Sequence, residues 1–168
     1  MRIFLIGFMG SGKSFRGRQL SQKLAIPFFD LDEQITGAEG KSINEIFHEQ
    51  GEEYFRLREK EIMHILTESH PSFIMACGGG TPCYFNNVEY MNRSGTTVWL
   101  NTSLPVLYER LLKEKSERPL LKNLTDDQLK AFIGKKFADR RIYYEQAEIK
   151  IDDDNVLTEQ LIEKIFHA

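Results

Sequence analysis

Apolar positions along the chain fall into two patterns. Short uninterrupted runs alternate with longer stretches in which apolar residues recur at helical spacing. Arg2–Ile6, Phe73–Ala76 and Thr96–Leu100 are runs of the first kind, joined by shorter candidates at Pro27–Asp30 and Ala147–Ile151. Runs with no polar alternation suit strands buried on both faces. Between them the spacing predicts helices from about Gly12 to Leu24, Ser42 to Gln50, Gly51 to Ser69, Ser103 to Lys113, Thr125 to Tyr144 and Val156 to Phe166. Ser42 with Glu45 three residues on reads as a capping box. Acidic Glu52 and Glu53 open the next stretch, as a helix N-terminus favours.

Strands that alternate with helices imply an α/β fold, a parallel sheet with helices on both faces. Ligands of such sheets collect at the carboxyl ends of the strands. The length, 168 residues, suits one domain with a core of its own. Repeats, low-complexity tracts and linkers are not evident.

Composition narrows the function classes. With 22 Lys+Arg against 25 Asp+Glu, the net charge is -3, which argues against a sequence-independent nucleic-acid binder. The N-terminal apolar run is too short to span a membrane and carries no signal-peptide pattern, so neither membrane nor export is expected. Cys77 and Cys83 form no C-x-x-C and fit a reducing, cytoplasmic setting. The four histidines lack metal-ligand spacing.

The chemistry begins at the first strand's end. Gly7 to Ser14, GFMGSGKS, satisfies G-x-x-x-x-G-K-[ST]. Glycines let backbone N–H groups turn toward phosphate oxygens, and the following helix presents its positive end to them. Lys13 would reach the β- and γ-phosphates, and the Ser14 hydroxyl would face Mg²⁺. Gly10, Ser11, Gly12, Lys13, Ser14 and Phe15 are therefore candidate nucleotide contacts. A chance match to this pattern in one chain is on the order of 1%. The loop names the ligand class and leaves the reaction open.

Other candidates sit at the remaining strand ends. Asp30-Leu31-Asp32 follows the second strand. Read as extended chain, it points both carboxylates to one side, one toward a metal's water shell and one toward an acceptor hydroxyl. The competing reading is a polar turn that serves a helix N-terminus. Cys77-Gly78-Gly79-Gly80 ends the third strand, where glycines let a ligand approach the backbone, or simply form a flexible turn. Arg56 could fork onto a carboxylate. Arg118, before Pro119, could close over a nucleotide as part of a lid. Either could equally be a solvated charge.

Taken together, GFMGSGKS, FFDLDEQI, GEEYFRLRE, CGGG, RPLL and an arginine four residues before Tyr144 resemble the shikimate kinases, in that family's order and over nearly the whole chain. The resemblance implies a P-loop fold like that of the nucleoside-monophosphate kinases, a five-stranded parallel sheet in order 2-3-1-4-5. It implies transfer of a phosphoryl group from ATP to the 3-hydroxyl of shikimate, a step toward chorismate and the aromatic amino acids. The acceptor segment would span roughly 31–60 and the lid roughly 112–124 of the single domain. Lys13, Asp32 and Arg118 would be catalytic. Ser14 would hold Mg²⁺ directly and Asp30 through water. Asp32, Arg56, Gly78, Gly79, Gly80 and Arg140 would bind shikimate, with Glu59 supporting Arg56, and Arg118 would also touch ATP. A monomer is expected.

Three positions depart from that family's pattern: Phe15 replaces a second hydroxyl residue, Cys77 a Thr or Ser, and Glu117 a glycine before RPLL. Arg16 could compensate for Phe15. Arg110 is a candidate for stacking on adenine. Two other readings stay open: a gluconate-kinase-like or nucleotide kinase on the same fold, and an ATP-binding regulator without transfer activity.

Overall fold

The computed structural model describes residues 1–167. Five parallel strands form one sheet in the order β2-β3-β1-β4-β5, with β1 at Arg2–Ile6, β2 at Phe28–Asp30, β3 at Phe73–Ala76, β4 at Thr96–Leu100 and β5 at Ile149–Ile151. This is the order the resemblance implies. β1 lies at the centre and reverses the direction of winding, so its carboxyl end is the crevice of the sheet.

Alternation along β1 builds the core. Phe4 and Ile6 point to one face, where they join Phe8, Met75, Trp99 and Tyr144. Ile3 and Leu5 point to the other, with Leu20, Ile74, Val98 and Leu161. The second face is covered by α1 (Lys13–Leu24) and α7 (Thr158–Phe166). The first is covered by α2 (Leu31–Glu39), α3 (Ile43–Ser69), α4 (Asn87–Ser94), α5 (Leu104–Glu114) and α6 (Asp126–Tyr144). Ile3, Phe4, Leu5 and Ile6 are all fully buried, as a strand sandwiched between two helical layers must be.

Local signals place the helix ends. Ser42 caps α3 through its side chain, which accepts from the Glu45 N–H at 3.1 Å. Thr125 and Gln128 form a reciprocal capping box at α6. The two helices expected on either side of Gly51 are joined in α3, with a break where Gly51 takes φ 86° and ψ 169°.

Two helices lack a counterpart in the sequence reading. α4 buries only Asn87, Val88 and Met91, too few apolar positions to show a period. α2 starts directly off β2, and its start corrects the extended reading of Asp30-Leu31-Asp32. Asp30 ends the strand and caps the helix, with its side chain accepting from Glu33 N–H at 3.2 Å. Asp32 stands in the helix's first turn. Leu31 and Ile35, four residues apart and fully buried, pull this segment into a helix.

Candidate active site

The loop between β1 and α1 is shaped by its glycines. Gly10 and Gly12 have φ of 81° and 88°, a left-handed backbone that side chains disfavour. Gly12 precedes α1 and offers no side-chain cap, so the first N–H groups of the helix are free to meet an anion. Lys13 Nζ donates to Gly7 O at 2.7 Å and Phe8 O at 2.9 Å, which holds its ammonium inside the loop. Burial pulls the Lys13 pKa down to about 8, Asp32 and Cys77 pull it back up, and Arg140 and Arg118 lower it further.

A cavity of about 460 Å³ opens at this loop. Residues 9–16 line it together with Asp30, Asp32, Gly78, Gly79, Arg110 and Arg118. Toward β4 and β5 its wall includes Leu100, Ile151 and Val156. An apolar wall beyond a phosphate loop suits a flat base.

The two aspartates have different partners. Asp30 Oδ2 accepts the Ser14 hydroxyl at 2.7 Å, and its other oxygen caps α2. Asp32 makes no hydrogen bond among the described residues, although a side chain on Gly78 would start 3.2 Å from its Oδ1. Burial raises its pKa above the ordinary carboxylate value, Asp30 adds to this, and Lys13 and Arg56 oppose it. Asp30 is thus tied into the fold, whereas Asp32 is free to accept a proton.

Ser14 and Asp30 present hard oxygens side by side beneath the loop, which fits Mg²⁺. No group of three or more His, Cys, Asp or Glu residues among those described could hold a metal alone. A Mg²⁺ completed by phosphate and water needs no such group.

Arg56 is buried on α3. Its Nη1 donates to Glu59 Oε1 at 3.0 Å, and Glu59 Oε2 accepts the Thr81 hydroxyl at 2.8 Å. Glu59 has no exposed surface. Burial works against the charge of Arg56, but Glu59 more than offsets it and holds the guanidinium above its ordinary pKa. The group lies so close to Gly80 that a Cβ there would stand 2.5 Å from Nη2. Arg140 lies against Gly79, where a Cβ would meet its Nη1 at 3.0 Å, and faces the Phe8 ring at 5.8 Å. Tyr144, one helical turn on, donates to Gly79 O at 2.7 Å.

The expected residues therefore converge, in two tiers. Gly78, Gly79 and Asp32 line the cavity, whereas Gly80, Arg56 and Arg140 do not and stand beside it. Arg118 reaches the rim, but its Nε and Nη2 both donate to Glu114 Oε2, at 2.9 and 2.7 Å. Phe15 is largely exposed beside the loop and lines the cavity with Arg16. Cys77 is buried, and burial raises its thiol far above the ordinary value, so it packs as an inert side chain.

Some residues escaped the sequence reading. Glu114 and Asp153 line the cavity, Thr81 completes the Glu59 network, and Tyr144 fixes Gly79. Arg110, by contrast, is a sequence candidate for stacking on adenine; it lines the cavity and donates to Gly10 O at 3.0 Å. Leu107 and Leu111 form the buried stripe of α5, and Arg110 is three residues after Leu107, at the edge of that stripe.

A phosphate loop, a tethered serine–aspartate pair, a free carboxylate and a buried guanidinium at the carboxyl ends of a parallel sheet define a P-loop phosphotransferase. Comparisons with known proteins narrow the class. The family model described as shikimate kinase matches residues 9–168. The shikimate kinase of Parabacteroides distasonis is 40% identical over 167 residues, 99% of this chain and 96% of the relative. The crystal structure of shikimate kinase from Bacteroides thetaiotaomicron superimposes with a TM-score of 0.93 at 36% identity, covering 100% of this chain and 99% of that one. Shikimate kinase from Acinetobacter baumannii in complex with shikimate gives a TM-score of 0.85 at 30% identity, covering 99% and 90%. The chain belongs to the shikimate kinase family, ATP-dependent phosphotransferases of aromatic amino-acid biosynthesis.

Proposed function

We propose that this chain transfers the γ-phosphoryl group of ATP to the 3-hydroxyl of shikimate, with Asp32 as the group that takes or orients the hydroxyl proton. The observation that carries the reading is the free Asp32 carboxylate, set between the fields of Lys13 and Arg56 and against Gly78. A general base gains from a lone pair that no other donor occupies and from a pKa raised toward the working pH, and Asp32 has both. The acceptor named for the Acinetobacter baumannii complex, shikimate, supports the choice of substrate.

Each residue's part follows from its surroundings. The loop N–H groups and Lys13 would neutralise phosphate charge as it spreads in the transition state. Ser14 and Asp30 would hold Mg²⁺, which when bound supplies further charge neutralisation on the phosphates. Arg56 and Arg140 would take the acceptor carboxylate, which needs charged donors in a fixed fork. Their placement beside Gly79 and Gly80 would turn the acceptor hydroxyls toward Asp32. Arg110 and the apolar ends of β4 and β5 would hold the base. Arg118 would leave Glu114 for the phosphates, and the lid of residues 112–124 would keep water from the reacting group.

The test is ADP release from MgATP with and without shikimate, beside quinate, gluconate and AMP. Strong acceleration by shikimate alone is expected. Acceleration by gluconate or AMP instead would replace the acceptor. Equal rates with every acceptor, despite ATP binding, would leave only a nucleotide-binding module.

A further inference from the structure

Arg56 is held on one edge by Glu59 and on one face by Gly80, as described above. The opposite edge is different. Its Nε is buried and has no hydrogen-bond partner among the described residues. The nearest anion is Glu52 on the preceding turn of α3, whose Oε1 lies 3.5 Å from Nε without the alignment of a hydrogen bond. At 3.5 Å the two already form an ion pair, and four residues apart on a helix they would close to a hydrogen bond unless something else holds one of them.

Tyr84 holds this one. Its hydroxyl donates to the same Glu52 oxygen at 2.9 Å. Its ring also covers the guanidinium, with Arg56 Cζ 4.4 Å from the ring centroid. Tyr84 follows the short 3₁₀ turn Thr81–Cys83 and enters a bend in which Phe85 and Asn86 both adopt left-handed backbone, at φ 50° and 57°. Such a pair of non-glycine residues is uncommon and costly. It redirects the chain just after Tyr84, between the acceptor wall and α4. Burial and Glu52 raise the pKa of the phenol, so it remains a hydrogen-bond donor at neutral pH.

We propose that Tyr84 is a positioning residue for acceptor binding: its ring fixes the plane of Arg56, and its hydroxyl keeps the Glu52 carboxylate from closing to a hydrogen bond on Nε, so that this donor stays unpaired for the acceptor's carboxylate to take. Glu52 is then a built-in competitor that Tyr84 restrains. Without the hydroxyl, Glu52 closes the remaining gap and occupies the edge the acceptor needs. The inference rests on the reading of Arg56 as the acceptor's carboxylate partner.

Steady-state kinetics with shikimate and MgATP test it. Tyr84→Phe keeps the ring and frees Glu52; its acceptor KM is expected to rise roughly three- to tenfold, the scale of one hydrogen-bonded contact. Its kcat and the KM for ATP should stay within about twofold. Tyr84→Leu, which also loses the ring, should raise the acceptor KM further. The double variant Glu52→Gln/Tyr84→Phe removes the competing charge and should return the acceptor KM close to that of the parent, which a purely structural role of Tyr84 would not do. An acceptor KM unmoved by Tyr84→Phe, or raised equally in the double variant, would overturn the inference. Arg56→Lys separates this from the underlying reading. If it leaves the acceptor KM unchanged, Arg56 is not the carboxylate partner and both fall. If it raises that KM while Tyr84→Phe does not, only the role of Tyr84 falls.

Discussion

The proposed acceptor side and the proposed nucleotide lid each present an arginine paired with a glutamate three or four residues earlier or later in the chain, and the two pairs are built in opposite ways. Arg56 and Glu59 are buried, three residues apart, with Thr81 as a third member and Gly80 pressed against the guanidinium. Arg118 and Glu114 are about two-fifths exposed, and Arg118 makes both of its side-chain hydrogen bonds to one oxygen. The first pair is fixed before any ligand arrives. The second is a local contact in water, cheap to exchange for another anion. A site that binds a small polyhydroxy acid gains from a rigid fork, whereas a lid must let go.

The largest expected effect tests whether the free carboxylate belongs to the rigid side. Asp32→Asn removes the proton acceptor and keeps the shape, so turnover should fall by about 10²–10⁴, the range of a general base. The same change should make the ligand-free protein more stable. Burial and Asp30 raise the folded-state pKa of Asp32, so the folded form holds its proton more tightly than the unfolded one. From the unfolded pKa up through the raised one, stability therefore falls as pH rises, and at neutral pH the carboxylate is a burden that the amide lifts. A Tm that drops together with kcat would mean that Asp32 is a structural residue.

Next in size is the contrast in stability. Glu59→Ala strands the buried Arg56 charge and should cost about 3–5 kcal/mol in denaturant unfolding. Glu114→Ala breaks an exposed pair and should cost less than about 1 kcal/mol. Equal losses would erase the distinction between the two regions.

Proton linkage sharpens the nucleotide side. Lys13 titrates at about 8 in the ligand-free protein because burial disfavours its charge. Log kcat/KM for ATP should therefore bend downward near pH 8 and fall toward tenfold per unit above it. At saturating ATP the bound phosphates restore the charge, and the bend in kcat should move to higher pH. Lys13 also gives the ligand-free protein a stability that rises with pH between about 8 and the ordinary lysine value of 10.5, because only the unfolded chain still holds the proton there. A kcat/KM profile flat through pH 9 would show that Lys13 stays charged without a nucleotide.

What the sequence made legible follows the same division. β1, β3 and β4 were readable to the residue because strands buried on both faces leave uninterrupted apolar runs. The phosphate loop was readable because each of its positions has a fixed backbone or chemical demand. Asp32 was placed in the right region for the wrong local reason, since a helix that starts directly at a strand's end leaves only Leu31 and Ile35 as its apolar signal. Tyr84 and Thr81 were invisible because their partners, Glu52 and Glu59, lie 32 and 22 residues away. Such contacts depend on the tertiary fold that brings the turn after β3 beside α3, not on any local pattern.

The smallest expected effect bears on the lid itself. Glu114 lines the cavity and holds Arg118 by two hydrogen bonds, so under the proposed function the nucleotide phosphates compete with it for the guanidinium. Glu114→Gln weakens that competitor while keeping an oxygen acceptor in place. If Arg118 turns to the phosphates, the KM for ATP should fall by about twofold, the size of an exposed i,i+4 pair, and the change should fade as salt screens the carboxylate in the parent. The acceptor KM should not move, because the buried Arg56 pair does not sense the lid. A higher KM for ATP would mean the reverse, that Glu114 orients Arg118 for the nucleotide, and the lid would then be as preorganised as the acceptor side.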